Sequence, residues 1–435
     1  MACGAGAVGE RMHNNETLGD AVSPGVHTPR RAFGPAVLAV PGYRRLWRGG
    51  LLYYHAYAFE IVATGWTVLL LTGSPLAVGL VGFCRTLPML IFGLLLGALA
   101  DRLRETTLLL GVQCAGALAA ISLAVLFLLG RAPLWAICLL VAVIGCGWAC
   151  DFSARRALVA QFHGPTRVTN ALSLETMTML GSKIAATALA GGLLAFGGAR
   201  LAYGWLALVY LAGIVAAAAV RRHEVLAARL PMAAIPLITL ARLGWATAVR
   251  TPVVRAVLLV TVAMNILVFP YQQLIAVVAG DILRVGSAQM GLLAGGDGIG
   301  GIIVAGLLTA RAKGFRRGAL FLGGALGVSL LLLALAFSRS FPLSFLLQIA
   351  LGACSGAFGA MQAALIIGAT SVEGRARALG MLAMAIGTAP LGIVMAGALS
   401  ATIGPTATLA GMATLALVLV GGLAVSSRAD LLASR

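Results

Sequence analysis

Four charged residues stand inside stretches otherwise rich in leucine, alanine, valine and glycine: Glu60 in YYHAYAFEIVATGW, Arg85 in GFCRTLPML, Lys183 in GSKIAATALAGG and Asp297 in AGGDGIGG. A carboxylate in such a setting has two kinds of role open to it. It exchanges a proton or contacts a cationic group of a ligand, or it neutralises a neighbouring base and fixes packing. Arg85 and Lys183 divide in the same way, between holding an anionic ligand group and neutralising Glu60 and Asp297.

Spacing adds a direction. At a 3.6-residue period Tyr53, Tyr57, Glu60, Thr64 and Thr67 fall on one stripe. Asn265, Tyr271, Gln272, Gln273, Gln348 and Gln362 supply further hydrogen-bonding groups in similar surroundings, each open to serving a ligand or a neighbouring helix. The predicted lining of a cavity around the charges is therefore Tyr53, Tyr57, Thr64, Asn265, Tyr271, Gln272 and Gln362. Nearer the ends of the apolar runs, Asp151, Glu175 and Glu373 lie beside Arg155, Arg156, Arg167 and Arg375. Exposed pairs of this kind are worth only ~0–1 kcal/mol, which suits a gate that forms and breaks.

Other chemistries lack their residues. The histidines His13, His27, His55, His163 and His223 are scattered, with His55 read as a packing or interface residue. Cys146 and Cys150 share a helix face without histidine or further cysteine to complete a metal set. GGDGIGG has the glycines of a dinucleotide fingerprint but no strand or crossover unit around it. The expectation is no enzyme, no metal and no cofactor.

The elements that carry these residues follow from composition. Apolar residues make up 60% of the 435 and charged residues 10%, against ~45–50% and ~25% in soluble domains. Runs of ~20–25 apolar residues each suffice to cross a ~30 Å hydrocarbon core as a helix. Twelve spans are predicted near 50–72, 76–100, 106–130, 133–158, 172–197, 200–220, 255–280, 286–310, 317–338, 342–368, 377–402 and 405–426. The net charge of +18 is spread over the ends of these runs and forms no nucleic-acid patch. Basic residues crowd alternate connections, while the other set holds only Arg131, Arg200, Arg284 and Arg339, so both termini are predicted cytoplasmic. Counted at ~1.5 Å per residue, Glu60 and Arg85 lie ~18 Å and ~15 Å from the arginine-poor side, a shared depth. An unpaired charge there costs on the order of 3 kcal/mol, so the two are expected to pair or to face a wet cavity.

The organisation expected is a disordered tail over 1–42 without a cleaved leader, a six-helix bundle over 43–220, a linker over 221–252 with an amphipathic helix, a second bundle over 253–427, and a tail over 428–435. A shift of roughly 208 residues brings Gly97 onto Gly306 and Arg167 onto Arg375. Weak symmetry between six-span halves marks a duplicated transporter core with its site near the midplane.

GALADRLRETTLLL, after the second span, resembles the signature of the major facilitator superfamily in Gly97, Leu99, Asp101 and Arg102, and departs from it at Arg104 and Glu105. The resemblance adds Gly97, Asp101 and Arg102 to the cytoplasmic gate. YRRLWRGGLL, LTGSPLAVGLVGFCRTLPML, SARRALVAQF and GRARALGMLAMAIGTAPLG resemble the twelve-span exporter subgroup that includes the enterobactin exporter and macrolide efflux proteins. The fifth span carries Ala186 and Thr187 where antiporters often have a glycine-proline pair. What the resemblance implies is a monomeric bacterial inner-membrane protein, embedded in lipid, that exports a small amphipathic molecule in exchange for protons. A facilitator or importer with structural charges, and a scaffold or sensor without transport, remain open.

Overall fold

Segments this apolar fold as helices because a helix satisfies its own backbone hydrogen bonds where water is absent. The computed structural model describes residues 35–100, 104–221, 251–310 and 316–426. Twelve helical spans follow one another. The first six are α1 (Pro41–Thr72), α2 (Pro75–Ala100), α3 (Glu105–Leu128), α4 (Leu134–Gly164), α5 (165–197) and α6 (199–221). The second six are α7 (Pro252–Leu267), α8 (Ser287–Ala310), α9 (Arg317–Phe337), α10 (Phe341–Ala369), α11 (Val372–Ile386, resumed as Ala389–Ile403) and α12 (Pro405–Ser426). Among the described residues nine helical stretches are long and apolar enough to cross a membrane, one of them holding α5 and α6 together. The protein is an all-α, multi-pass integral membrane protein.

Several boundaries differ from hydropathy. Helix α1 starts at Pro41, well before residue 50, because proline suits a first helical turn and Tyr43 and Leu46 find buried sites, the Tyr43 hydroxyl donating to Ala171 O on α5 at 3.1 Å. Helices α4 and α5 meet at Gly164 (φ 60°, ψ −177°) and so run beyond the predicted 158 and 172. Their polar ends dropped below membrane hydropathy while the helices continued past the apolar layer. The predicted seventh span is cut short: after Leu267 the chain makes a 3₁₀ turn over Phe269–Gln272, a short helix and a π-turn over Val278–Ile282. Pro270 lacks the N–H that would continue the helix. At the amino-terminal side, the tail expected to be disordered through residue 42 forms a helical turn over Pro35–Leu38, with Val37 buried and its carbonyl 3.0 Å from His163 Nε2. The linker helix expected over 221–252 falls almost wholly on 222–250, outside the described residues.

The two sets of six helices meet through small residues near the arginine-poor end. A Cβ added to Gly79 on α2 would sit 2.8 Å from the Gly397 Cα on α11, and one added to Gly291 on α8 would sit 2.9 Å from the Gly191 Cα on α5. These contacts are mates in the internal repeat, Gly79 and Gly291 being 212 residues apart and Gly191 and Gly397 206. Deeper, the carbonyl of Arg85 rests on the Cα of Gly145 on α4, and that of Asp297 rests in the same way on Gly352 of α10. Small residues let membrane helices approach this closely.

Candidate functional site

The four charged residues singled out by type form two pairs. On α2, Arg85 Nη2 donates to Glu60 Oε1 of α1 at 2.8 Å, with 2% and 0% of the side chains exposed. Its Nη1 donates to Gln273 Oε1 at 2.8 Å, joining the amino-terminal helices to the segment after α7. Thr64 Oγ1 donates to Glu60 Oε1 at 2.6 Å and lies 2.8 Å from the Tyr203 hydroxyl of α6. Lys183 Nζ on α5 reaches Asp297 Oδ2 on α8 at 2.6 Å, with 30% and 11% exposed. Each pair thus includes a contact between the two sets of helices.

Two cavities lie beside these pairs. The more apolar one, about 310 Å³, is walled by Tyr54, Tyr57, Ile61 and Val62 of α1, Trp148 of α4, Met179, Leu180, Lys183 and Thr187 of α5, Tyr271, Gln272 and Gln273, Ala294 and Asp297 of α8, and Gln348 of α10. Trp148 stacks on Tyr57 with ring centroids 4.2 Å apart, giving one wall an extended aromatic face. The Lys183–Asp297 pair and three glutamines, Gln272, Gln273 and Gln348, offer polar groups. Asp297 Oδ1 and Gln348 Oε1 are buried behind the wall without a hydrogen-bond partner. A second cavity, also about 310 Å³, is lined by Tyr57, Arg85, Trp148, Asn265, Gln272 and Gln273 among others.

Of the predicted lining, Tyr57, Asn265, Tyr271 and Gln272 border these cavities. Tyr53, Thr64 and Gln362 do not. Thr64 and Glu60 turn toward α2 and α6 of their own half, and the face of α1 that meets the first cavity carries Ala58, Ile61 and Val62. Apart from Tyr57, which borders both cavities, the polar stripe marked the side of α1 buried in its own half. Gln362 Nε2 donates to Thr261 Oγ1 at 2.8 Å, an interhelical bond between α10 and α7. Trp148 was missed, although a tryptophan far from both ends of a 31-residue helix is itself a signal, since membrane tryptophans concentrate at interfaces.

The gate residues separate as well. Arg155 donates from Nε and Nη2 to the two oxygens of Asp151 at 2.8 and 2.7 Å, buried within α4, and from Nη1 to Leu46 O of α1 at 2.9 Å. That is a buried clamp, not an exposed pair. Glu175 Oε2 accepts from the Tyr54 hydroxyl at 2.9 Å. Arg156 is exposed and lies 3.7 Å over the Phe152 ring, and Arg375 is exposed. Gly97 lies in α2; Asp101, Arg102 and the Glu373 side chain fall outside the described residues.

Helices arranged in two repeated sets around a partly ion-paired cavity are the architecture of a membrane transporter. The family model described as transmembrane secretion effector matches residues 32–432, and the chain belongs to that family of the major facilitator superfamily. No curated protein matches the sequence. Solved structures share the fold. A bacterial homologue of the human lysosomal transporter Spinster, inward-facing and unoccupied, has a TM-score of 0.71 at 14% identity over 91% of this chain and 98% of that one. The nucleoside transporter NupG gives 0.72 at 12% identity over 88% and 99%. The human organic anion transporter MFSD10 gives 0.65 at 15% identity over 90% and 100%.

Proposed function

We propose that this secondary transporter exports a small amphipathic organic molecule from the bacterial cytoplasm across the inner membrane, in exchange for protons, as a monomer with both termini inside. The observation that carries the reading is the cavity of about 310 Å³ with an aromatic wall at Trp148 and Tyr57 and a charged wall at Lys183 and Asp297. An apolar body would lie on the rings while a polar head engages the partly exposed ion pair. The likeness of four sequence stretches to the enterobactin and macrolide exporters supports outward movement.

In this reading Asp297 is the coupling acid that meets the cargo. Its protonation releases Lys183, which frees α5 from α8 and lets the halves rock about the cavity. Glu60, held by Arg85 and Thr64 behind the cavity wall, responds to the same movement through the Arg85–Gln273 bond. A facilitator or importer is the second reading, favoured by the close pairing of Glu60 and Asp297 with bases at 2.8 and 2.6 Å.

The experiment uses purified protein in liposomes under an imposed pH gradient, with siderophores, macrolides and dyes offered in turn. Proton movement driven by one compound in the wild type and lost in Asp297→Asn supports exchange. Transport that ignores the gradient in both proteins favours the facilitator.

A further inference from the structure

Four described carboxylates lie in the interior of the spans: Glu60, Asp151, Glu175 and Asp297. Three of them have a base at 2.6–2.8 Å. Glu175, on α5 and 6% exposed, has no base within ion-pair distance among the described residues. Its Oε2 accepts from the Tyr54 hydroxyl, and its Oε1 is buried without a partner. We infer that Glu175 carries an exchangeable proton at Oε1, and that Tyr54 connects this proton to the state of the cavity. The inference rests on the proton-exchange reading above and names a group that reading leaves open.

Groups of α1 and α4 surround Glu175. From α1 it meets Tyr54 and Tyr43, whose own hydroxyl donates to Ala171 O. From α4 it meets Asp151 and Arg155. The absent side chain of Gly50 is what lets α4 and α5 come together over α1: a Cβ there would lie 2.7 Å from Arg155 Nη1 and 3.4 Å from Glu175 Oε2. Arg155 has already placed Nε and Nη2 on Asp151 and Nη1 on Leu46 O. Two carboxyl groups therefore share the field of one guanidinium, which is paired with Asp151 and makes no ion pair with Glu175. A buried, uncompensated carboxylate is expensive, and a bound proton removes that cost.

Tyr54 gives the proton a link to cargo. Its ring belongs to the wall of the cavity, one turn of α1 before the aromatic stack of Tyr57 on Trp148. A ligand that shifts the ring moves the hydroxyl on which Glu175 depends. The chemical step is a simple transfer: the Oε1–H bond breaks, its electron pair stays on the carboxylate, and the proton passes to water on the arginine-rich side.

Infrared difference spectroscopy of the full chain in liposomes tests this without any cargo, by following the C=O stretch of neutral carboxyl groups as pH is raised. A band present at neutral pH, absent from Glu175→Gln and retained in Glu60→Gln and Asp297→Asn, is the expected result. In Tyr54→Phe the band is expected to move to higher frequency, because the carbonyl oxygen loses its donor. A band that survives unchanged in Glu175→Gln overturns the assignment. Should that variant fail to fold, an unshifted band in Tyr54→Phe overturns it equally. The compound-driven assay separates this proposal from the function: a chain that titrates at Glu175 yet moves no compound keeps the proton site and loses the export reading. Unaltered proton-coupled export by Glu175→Gln does the reverse.

Discussion

Arg85 joins three helical segments from one buried position, and its removal leaves more than a missing contact. In Arg85→Ala the Glu60 carboxylate keeps only the Thr64 hydroxyl as a partner. Breaking a buried pair from one side costs about 3–5 kcal/mol, whereas replacing both partners by apolar groups of similar volume is often neutral. Thermal unfolding in detergent should therefore rank Arg85→Ala as the least stable of three variants, with Glu60→Gln intermediate and the double variant Glu60→Leu/Arg85→Met close to wild type. A double variant as unstable as Arg85→Ala would mean that the Gln273 bond, not the ion pair, holds this region together. Lys183 and Asp297 differ because they are partly exposed to a cavity. Solvent screens them, so Lys183→Met should change transport far more than the unfolding temperature.

At the scale of elements, packing between helices is decided at glycines whose Cα touches another backbone. Helix α4 meets α2 at Gly145 and α10 meets α8 at Gly352, in each case against the carbonyl of a charged residue of the cavity region. A methyl group at either position has no room, and overpacking of this kind costs about 1–3 kcal/mol. Gly145→Ala and Gly352→Ala should lower the unfolding temperature, while Gly306→Ala, at a site with nothing within 4 Å, should leave it unchanged or raise it through better helix propensity. Equal behaviour of all three would remove the argument that these contacts set the depth of Arg85 and Asp297. The broken end of α7 belongs to the same scale: Pro270 halts the helix and the following turns bring Tyr271, Gln272 and Gln273 to the cavity, where a continuous helix would spread them around its circumference.

For the whole molecule, the repeated glycine contacts Gly79–Gly397 and Gly191–Gly291 close the arginine-poor end while the cavities lie on the other side of them. Under the proposed alternating access those contacts separate. A bulky side chain at one of them biases the equilibrium toward the open form by its strain in the closed one alone. In a cysteine-free background, Ser287→Cys reports on the seal, since Ser287 is buried and its carbonyl faces Gly191. Adding Gly291→Val should raise its reaction rate with a membrane-impermeant maleimide at least several-fold. An unchanged rate would show that the α5–α8 contact is not part of the moving seal.

The number of spans, their approximate limits, the internal repeat and the pairing of Glu60 with Arg85 were legible in the sequence because each depends on local quantities: apolar run length, the side on which arginine collects, and residue depth counted at a fixed rise. The face each polar residue presents was not legible. A helical stripe says that Glu60, Thr64 and Tyr57 lie together, but one helix has two polar neighbours to choose from, its own bundle and the opposite one. Only packing assigned Glu60 and Thr64 to the first and Tyr57 to the second. Tertiary structure likewise decided that Asp151 takes the Nε and Nη2 edge of Arg155 and that Glu175 is left to Tyr54, because three carboxyl and guanidinium groups competing at one point are resolved by distances of a few tenths of an ångström, a precision that residue type and spacing do not carry.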